Sequence, residues 1–153
     1  MPITLDFETR SAADLKKVGA YKYSVHPTTV ILCLVAHNED LSFRVKWALG
    51  DELPEELFEM VRSGEIVHAH NAEFEYCIWK NVGVKKYGFP PLPIDQMICD
   101  AANAARLAMP RGLEALAKAI EAPVQKDMEG NRLMKRMTRP RKPSKAELQW
   151  LDI

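Results

Sequence analysis

The stretch that most limits what this chain can fold into is 28–37, Thr-Thr-Val-Ile-Leu-Cys-Leu-Val-Ala-His. It is almost unbroken in apolar character and rich in β-branched residues, the pattern of a strand at the centre of a sheet. Upstream, Ile3-Thr4-Leu5-Asp6-Phe7-Glu8-Thr9 alternates, with Ile3, Leu5 and Phe7 apolar and Thr4, Asp6 and Glu8 polar. A period of two predicts a half-buried strand whose odd residues face a core. Residues 41–49 alternate well enough for a third strand after a turn at Asn38-Glu39-Asp40. The chain therefore opens with three neighbouring, largely antiparallel strands.

Helical periods follow. Asp51 is a candidate N-cap for a helix with Leu53, Leu57, Met60 and Val61 on one face and Gly64 at its end. Residues 65–70 predict a fourth strand. Asn71 then caps a helix in which Phe74, Cys77, Ile78 and Val82 share a buried face, closed by Gly83 or Gly88. Phe89-Pro-Pro-Leu-Pro93 reads as a rigid turn, and 95–109 as one helix ended by Pro110. A further helix, up to Pro123, carries Leu113, Leu116, Ala117 and Ile120. Between the first two strands, 11–19 reads as a polar loop with one helical turn. Strands alternating with helices place the chain in the α/β class.

At 153 residues the chain suffices for one domain with a sizeable core. Its 21 basic and 21 acidic residues cancel, so overall charge points to no partner. Three cysteines, Cys33, Cys77 and Cys99, are odd in number and form no Cys-x-x-Cys pair, so neither a disulfide framework nor a zinc knuckle is suggested. No apolar run approaches the roughly 20 residues that span a membrane. Met1-Pro2 runs directly into the first strand, which leaves no room for a signal peptide. A reducing cytoplasm is the expected location.

The first strand puts Asp6 and Glu8 on one face, where two carboxylates repel unless a cation lies between them. Oxygen ligands suit Mg²⁺ or Mn²⁺. A second acid stands in His70-Asn-Ala-Glu-Phe-Glu75, in the first turn of the helix that Asn71 caps. There the helix dipole favours an ionised carboxylate. With Phe74 pointing into the core, Glu75 lies about 100° round the helix and emerges at the sheet edge. Three carboxylates gathered on two divalent ions make a phosphoryl-transfer site.

At this point the motifs become recognisable. Asp6-Phe-Glu8-Thr9 resembles the first motif, and His70-Asn-Ala-Glu-Phe-Glu75 the second, of the DEDD-type 3′–5′ exonucleases (DnaQ-like) of the ribonuclease-H-like fold. The resemblance is nearest to the N-terminal proofreading domain of phage family A DNA polymerases, through 5–21, 69–75, 126–134 and 139–142. It implies a mixed sheet with flanking helices in one domain over 1–153. It also implies two Mg²⁺ or Mn²⁺ ions on Asp6, Glu8 and Glu75. Single-stranded DNA or a frayed 3′ end would be the substrate, nucleoside monophosphates the product, and a polymerase domain the partner in cis or in trans. Thr9, Asn71, Arg139, Arg141 and Lys142 are the candidate nucleic-acid contacts.

Two departures stand out. Glu75 occupies a place where much of the superfamily has Asp. The third motif, a Tyr or His followed four residues later by Asp, is absent: no Tyr or His follows Tyr87, and Leu148 precedes Asp152 by four. Ser144-Lys-Ala-Glu147 opens a helix by a capping box shortly before Ile153. The chain is therefore expected to be truncated before that motif. The alternative is a catalytically incomplete module of the same fold that grips nucleic acid or a polymerase without cutting.

The remaining residues carry weaker expectations. His26, His37, His68 and His70 are read as structural, Asp100 as a solvated mid-helix acid, and Trp47, Trp79 and Trp150 as core. Tyr21 and Tyr23 are candidates to stack on a terminal base. Residues 131–145 hold seven basic side chains and no acid, a segment suited to phosphate contact.

Overall fold

The computed structural model of the protein describes residues 1–123, 127, 129–130 and 132–133. The basic residues Arg139, Arg141 and Lys142, together with Ser144, Trp150 and Asp152, lie outside them.

The alternating N-terminal stretch forms β1 (Ile3–Arg10), and its pleat buries Ile3, Leu5, Phe7 and Thr9. The apolar run forms β2 (Val30–Asn38), antiparallel to β1, with Asp6 opposite Val35 and Glu8 opposite Cys33. β3 (Arg44–Ala48) returns antiparallel to β2. β4 (Val67–Ala69) and a fifth strand, β5 (Met97–Cys99), extend the sheet in parallel on the other side of β1. The order β3-β2-β1-β4-β5 makes a five-stranded mixed sheet flanked by helices, the ribonuclease-H-like architecture expected.

One core serves the sheet and its helices. Ile31, Leu34 and Trp47 from the strands meet Leu57, Phe58 and Val61 of α2 (Glu55–Arg62). α3 (Ala72–Ile78) runs on into a π-helical segment, Trp79–Tyr87, and adds Ile78, Trp79 and Val82. Phe89 closes the core, its ring 4.8 Å from that of Phe58 and 5.1 Å from that of Trp79. Trp79 also donates from Nε1 to the Pro90 carbonyl at 2.7 Å, which satisfies its one polar atom in the apolar interior. Trp47 and Trp79 are core residues, as read from the sequence.

Several local readings need correction. Residues 11–19 are not a simple loop: α1 spans Leu15–Ser24, with a break at Gly19 (φ 77°, ψ 168°) that hides the helical period. Asp51 does not cap α2. Its carboxylate accepts from the Ala48 N–H at 2.9 Å, and Pro54 holds the cap position instead. The single helix expected over 95–109 is three pieces: a 3₁₀ turn (Ile94–Gln96), β5, and α4 (Asp100–Arg106). Asp100 is thus in a first turn, and its Oδ1 lies 2.9 Å from His68 Nδ1. Gly88, at φ 75°, ends the helical run; Gly83 lies inside it. The helix expected around Leu113–Ile120 is α5 (Leu113–Ala119), which buries none of its residues.

Candidate active site

β1 is the hinge of the sheet: antiparallel on one side, parallel on the other. Connections leave the carboxyl ends of β1 and β4 for α1 and α3, and a crevice opens between them. In sheets of this kind such a crevice is the favoured ligand site. Here it is a cleft of about 420 Å³. Asp6, Glu8, Thr9, Asn71 and Glu75, all expected at the site, line it together.

The pleat of β1 aims Asp6 and Glu8 away from the core, as the period of two requires. Asp6 is exposed but stands in the lining of the cleft. The surrounding protein thins its hydration and raises its pKa, while the nearby His70 acts in the opposite direction. Across the strand pair, burial raises the Cys33 thiol, and the charges of Glu8 and Asp6 raise it further. Cys33 therefore belongs to the acidic face.

Glu75 departs from the expected picture. It does not emerge at an exposed edge but is only 5% exposed. Its partner in that expectation, Phe74, is the half-buried one, its ring 6.0 Å from that of Tyr23 at the cleft wall. The Phe74–Tyr23 contact turns the first helical turn so that Glu75 faces inward. Burial pushes the Glu75 carboxyl up to about 8; its own backbone N–H draws it down, and the Asp6 charge raises it. Oε2 of Glu75 is buried with no hydrogen-bond partner. An orphan acceptor of this kind costs about 1–3 kcal/mol unless something else meets it.

Asn71 stands at the cap position of α3, but its side chain makes no capping bond; its carbonyl accepts from the Phe74 N–H at 2.9 Å. Tyr23 is not free to stack. It is 6% exposed, and its Oη lies 2.9 Å from Thr9 Oγ1. Tyr21 is exposed and is not among the cleft residues.

The donor set, carboxylate oxygens alone, is of the kind that hard divalent ions take. Asp6 and Glu75 are near enough for each other's charge to matter, and Glu75, which lines the cleft, has an unmet acceptor. Among the described residues, however, no three His, Cys, Asp or Glu side chains already converge tightly enough to hold an ion. The histidines do not gather either: His26 lies against Thr28, His37 against the Asn38 carbonyl, and His68 against Asp100.

No family model matches the chain. Over 150 residues it is 35% identical to the DNA polymerase of Bacillus phage SP02. The chain is related to a phage DNA polymerase. The match takes in 96% of this chain but spans only 22% of the polymerase's length.

This polymerase-related chain also brings residues to the cleft that sequence reasoning missed. Asp14 caps α1, its Oδ1 accepting from the Lys16 N–H at 3.1 Å, and Asp14, Leu15 and Lys16 all line the cleft. The signal for them was present, since Asp before an apolar residue is a cap pattern. Gly19 masked the helix that would have given it meaning.

Proposed function

We propose that the chain is the 3′–5′ exonuclease segment of a phage-type DNA polymerase, and that it hydrolyses phosphodiesters at DNA 3′ ends to nucleoside monophosphates. The observation that carries the reading is Glu75: a buried carboxyl with an unpartnered oxygen, in the lining of the cleft that holds Asp6 and Glu8. Burying such a group without a partner is costly, and functional sites are where this cost recurs. The relationship to a phage DNA polymerase supplies the substrate class.

Asp6, Glu8 and Glu75 would hold Mg²⁺ or Mn²⁺. Bound there, two such ions would lower the pKa of water and neutralise charge on the leaving oxygen. The chain's own part is positional. β1 fixes Asp6 and Glu8 on one face, and α3 brings Glu75 to meet them. The half-buried Phe74 and the Tyr23 ring give the cleft an apolar wall that limits water. Thr9 and Asn71 stand at the cleft to orient a strand.

A second reading, a module that grips DNA ends without cutting, is favoured by one observation: among the described residues no three His, Cys, Asp or Glu side chains converge tightly enough to hold an ion. An assay with enzyme in excess over a single-stranded DNA separates the two. With Mn²⁺, a 5′-labelled strand should shorten stepwise, and a 3′-labelled strand should release labelled mononucleotide first. Tight binding with an unchanged strand would establish the gripping module and end the exonuclease reading.

A further inference from the structure

A polyanion approaching this cleft meets the carboxylates of Asp6, Glu8 and Asp14. Ions on the floor would offset part of that repulsion, but the strand extending away from its end needs a cation beyond them. Among the described residues that line the cleft, Lys16 is the one basic side chain. It is exposed and makes no salt bridge among the described residues, despite the acids around it.

Its position is set in advance. Asp14 holds the first turn of α1 through its side chain to the Lys16 N–H and its carbonyl to Lys17 and Val18, at 2.9 and 3.0 Å. The far end of α1 is tied down by buried polar contacts. Tyr23 meets Thr9, the Tyr23 carbonyl accepts from Thr29 Oγ1 at 2.6 Å, and Asn81 donates to Ser24 at 2.9 Å. Lys17 and Lys22 share the helix but are not among the cleft residues.

We propose that Lys16 is a binding residue on the rim of the cleft that takes an internucleotide phosphate of the strand whose 3′ end reaches Asp6, Glu8 and Glu75. The proposal rests on the exonuclease reading above and adds where the strand leaves the site. The ammonium acts as a point charge on a flexible stem, suited to a phosphate whose distance from the end varies.

The test measures binding of a short fluorescent oligothymidylate and of dTMP, in Ca²⁺, across a series of salt concentrations. For Lys16→Ala the slope of log affinity against log salt should be shallower than the wild type's by about 0.7, the value for one single-strand contact. Affinity for dTMP, which has no internucleotide phosphate, should not change. Lys17→Ala should match the wild type with both probes. An unchanged slope in Lys16→Ala, with wild-type binding intact, overturns the proposal alone. Equal weakening toward both probes overturns it too, since Lys16 would then serve the terminal phosphate or the fold. A wild type that binds neither probe overturns the proposal together with the exonuclease reading on which it rests.

Discussion

Glu75 is ordinarily a carboxyl of pKa 4.5, and in the fold it stands at about 8. The unfolded chain gives up this proton near 4.5 and the folded chain holds it to about 8. Between those values the folded state binds the extra proton, so stability is greatest below 4.5 and falls as pH rises toward 8. The slope for one such group is roughly 1 kcal/mol per pH unit. Urea unfolding in EDTA at several pH values should show this decline, and Glu75→Gln should remove most of it. If the two proteins have parallel pH profiles, Glu75 is not held protonated by burial. Asp6→Asn should leave the metal-free protein as stable as the parent or more so, because it removes a partly desolvated charge that also repels Glu75. A loss above about 1 kcal/mol in thermal or urea unfolding would show that Asp6 is a structural residue. The two acids were legible in the sequence by different signals. The period of two placed Asp6 and Glu8 on their face. The inward turn of Glu75 was not legible, because it depends on Phe74 meeting Tyr23, two residues far apart in the chain.

Two elements carry the tightest constraints. In the π-helical segment, a Cβ built on Gly83 would stand 2.6 Å from Cδ2 of Phe89, a ring that is 2% exposed and packed among Phe58, Trp79 and Trp47. The ring has no room to retreat. Gly83→Ala should therefore destabilise by about 1–3 kcal/mol, and Phe89→Leu in the same chain should recover part of the loss. A neutral Gly83→Ala in thermal unfolding would contradict this packing. At α1, Tyr23→Phe keeps the ring against Phe74 and removes only the bond to Thr9, so unfolding should register about 1 kcal/mol. Elements with long, regular periods were readable: β1, β2, β3, and α3 from its cap position onward. β5 was not, since three residues cannot show a period and Ala-rich α4 follows at once. α1 was lost to the break at Gly19. The unburied face of α5 gives its amphipathic pattern no described partner, so pattern alone located the helix without explaining it.

At the scale of the molecule, the sheet order does the work that no local segment can. β1 lies between an antiparallel and a parallel half, and the crevice at its carboxyl end brings Asp6 within the electrostatic reach of Glu75, some seventy positions later in the chain, with Glu8 on the same cleft. The α/β class was legible from the strand and helix periods, and the mixed sheet from the resemblance of the two acidic motifs. What local pattern could not supply was the depth of the cleft and the presence of Lys16 and Asp14 within it. The central claim is that three acids from two elements act as one centre for divalent ions. Titration of Mn²⁺ followed by electron paramagnetic resonance tests it most directly, using the parent, Asp6→Asn, Glu8→Gln and Glu75→Gln, with the remote Glu39→Gln as control. The account predicts that each of the three cleft variants binds at least about tenfold more weakly, about 1.4 kcal/mol in each case, while Glu39→Gln matches the parent. Equal Mn²⁺ affinity in the parent and all three cleft variants would contradict it.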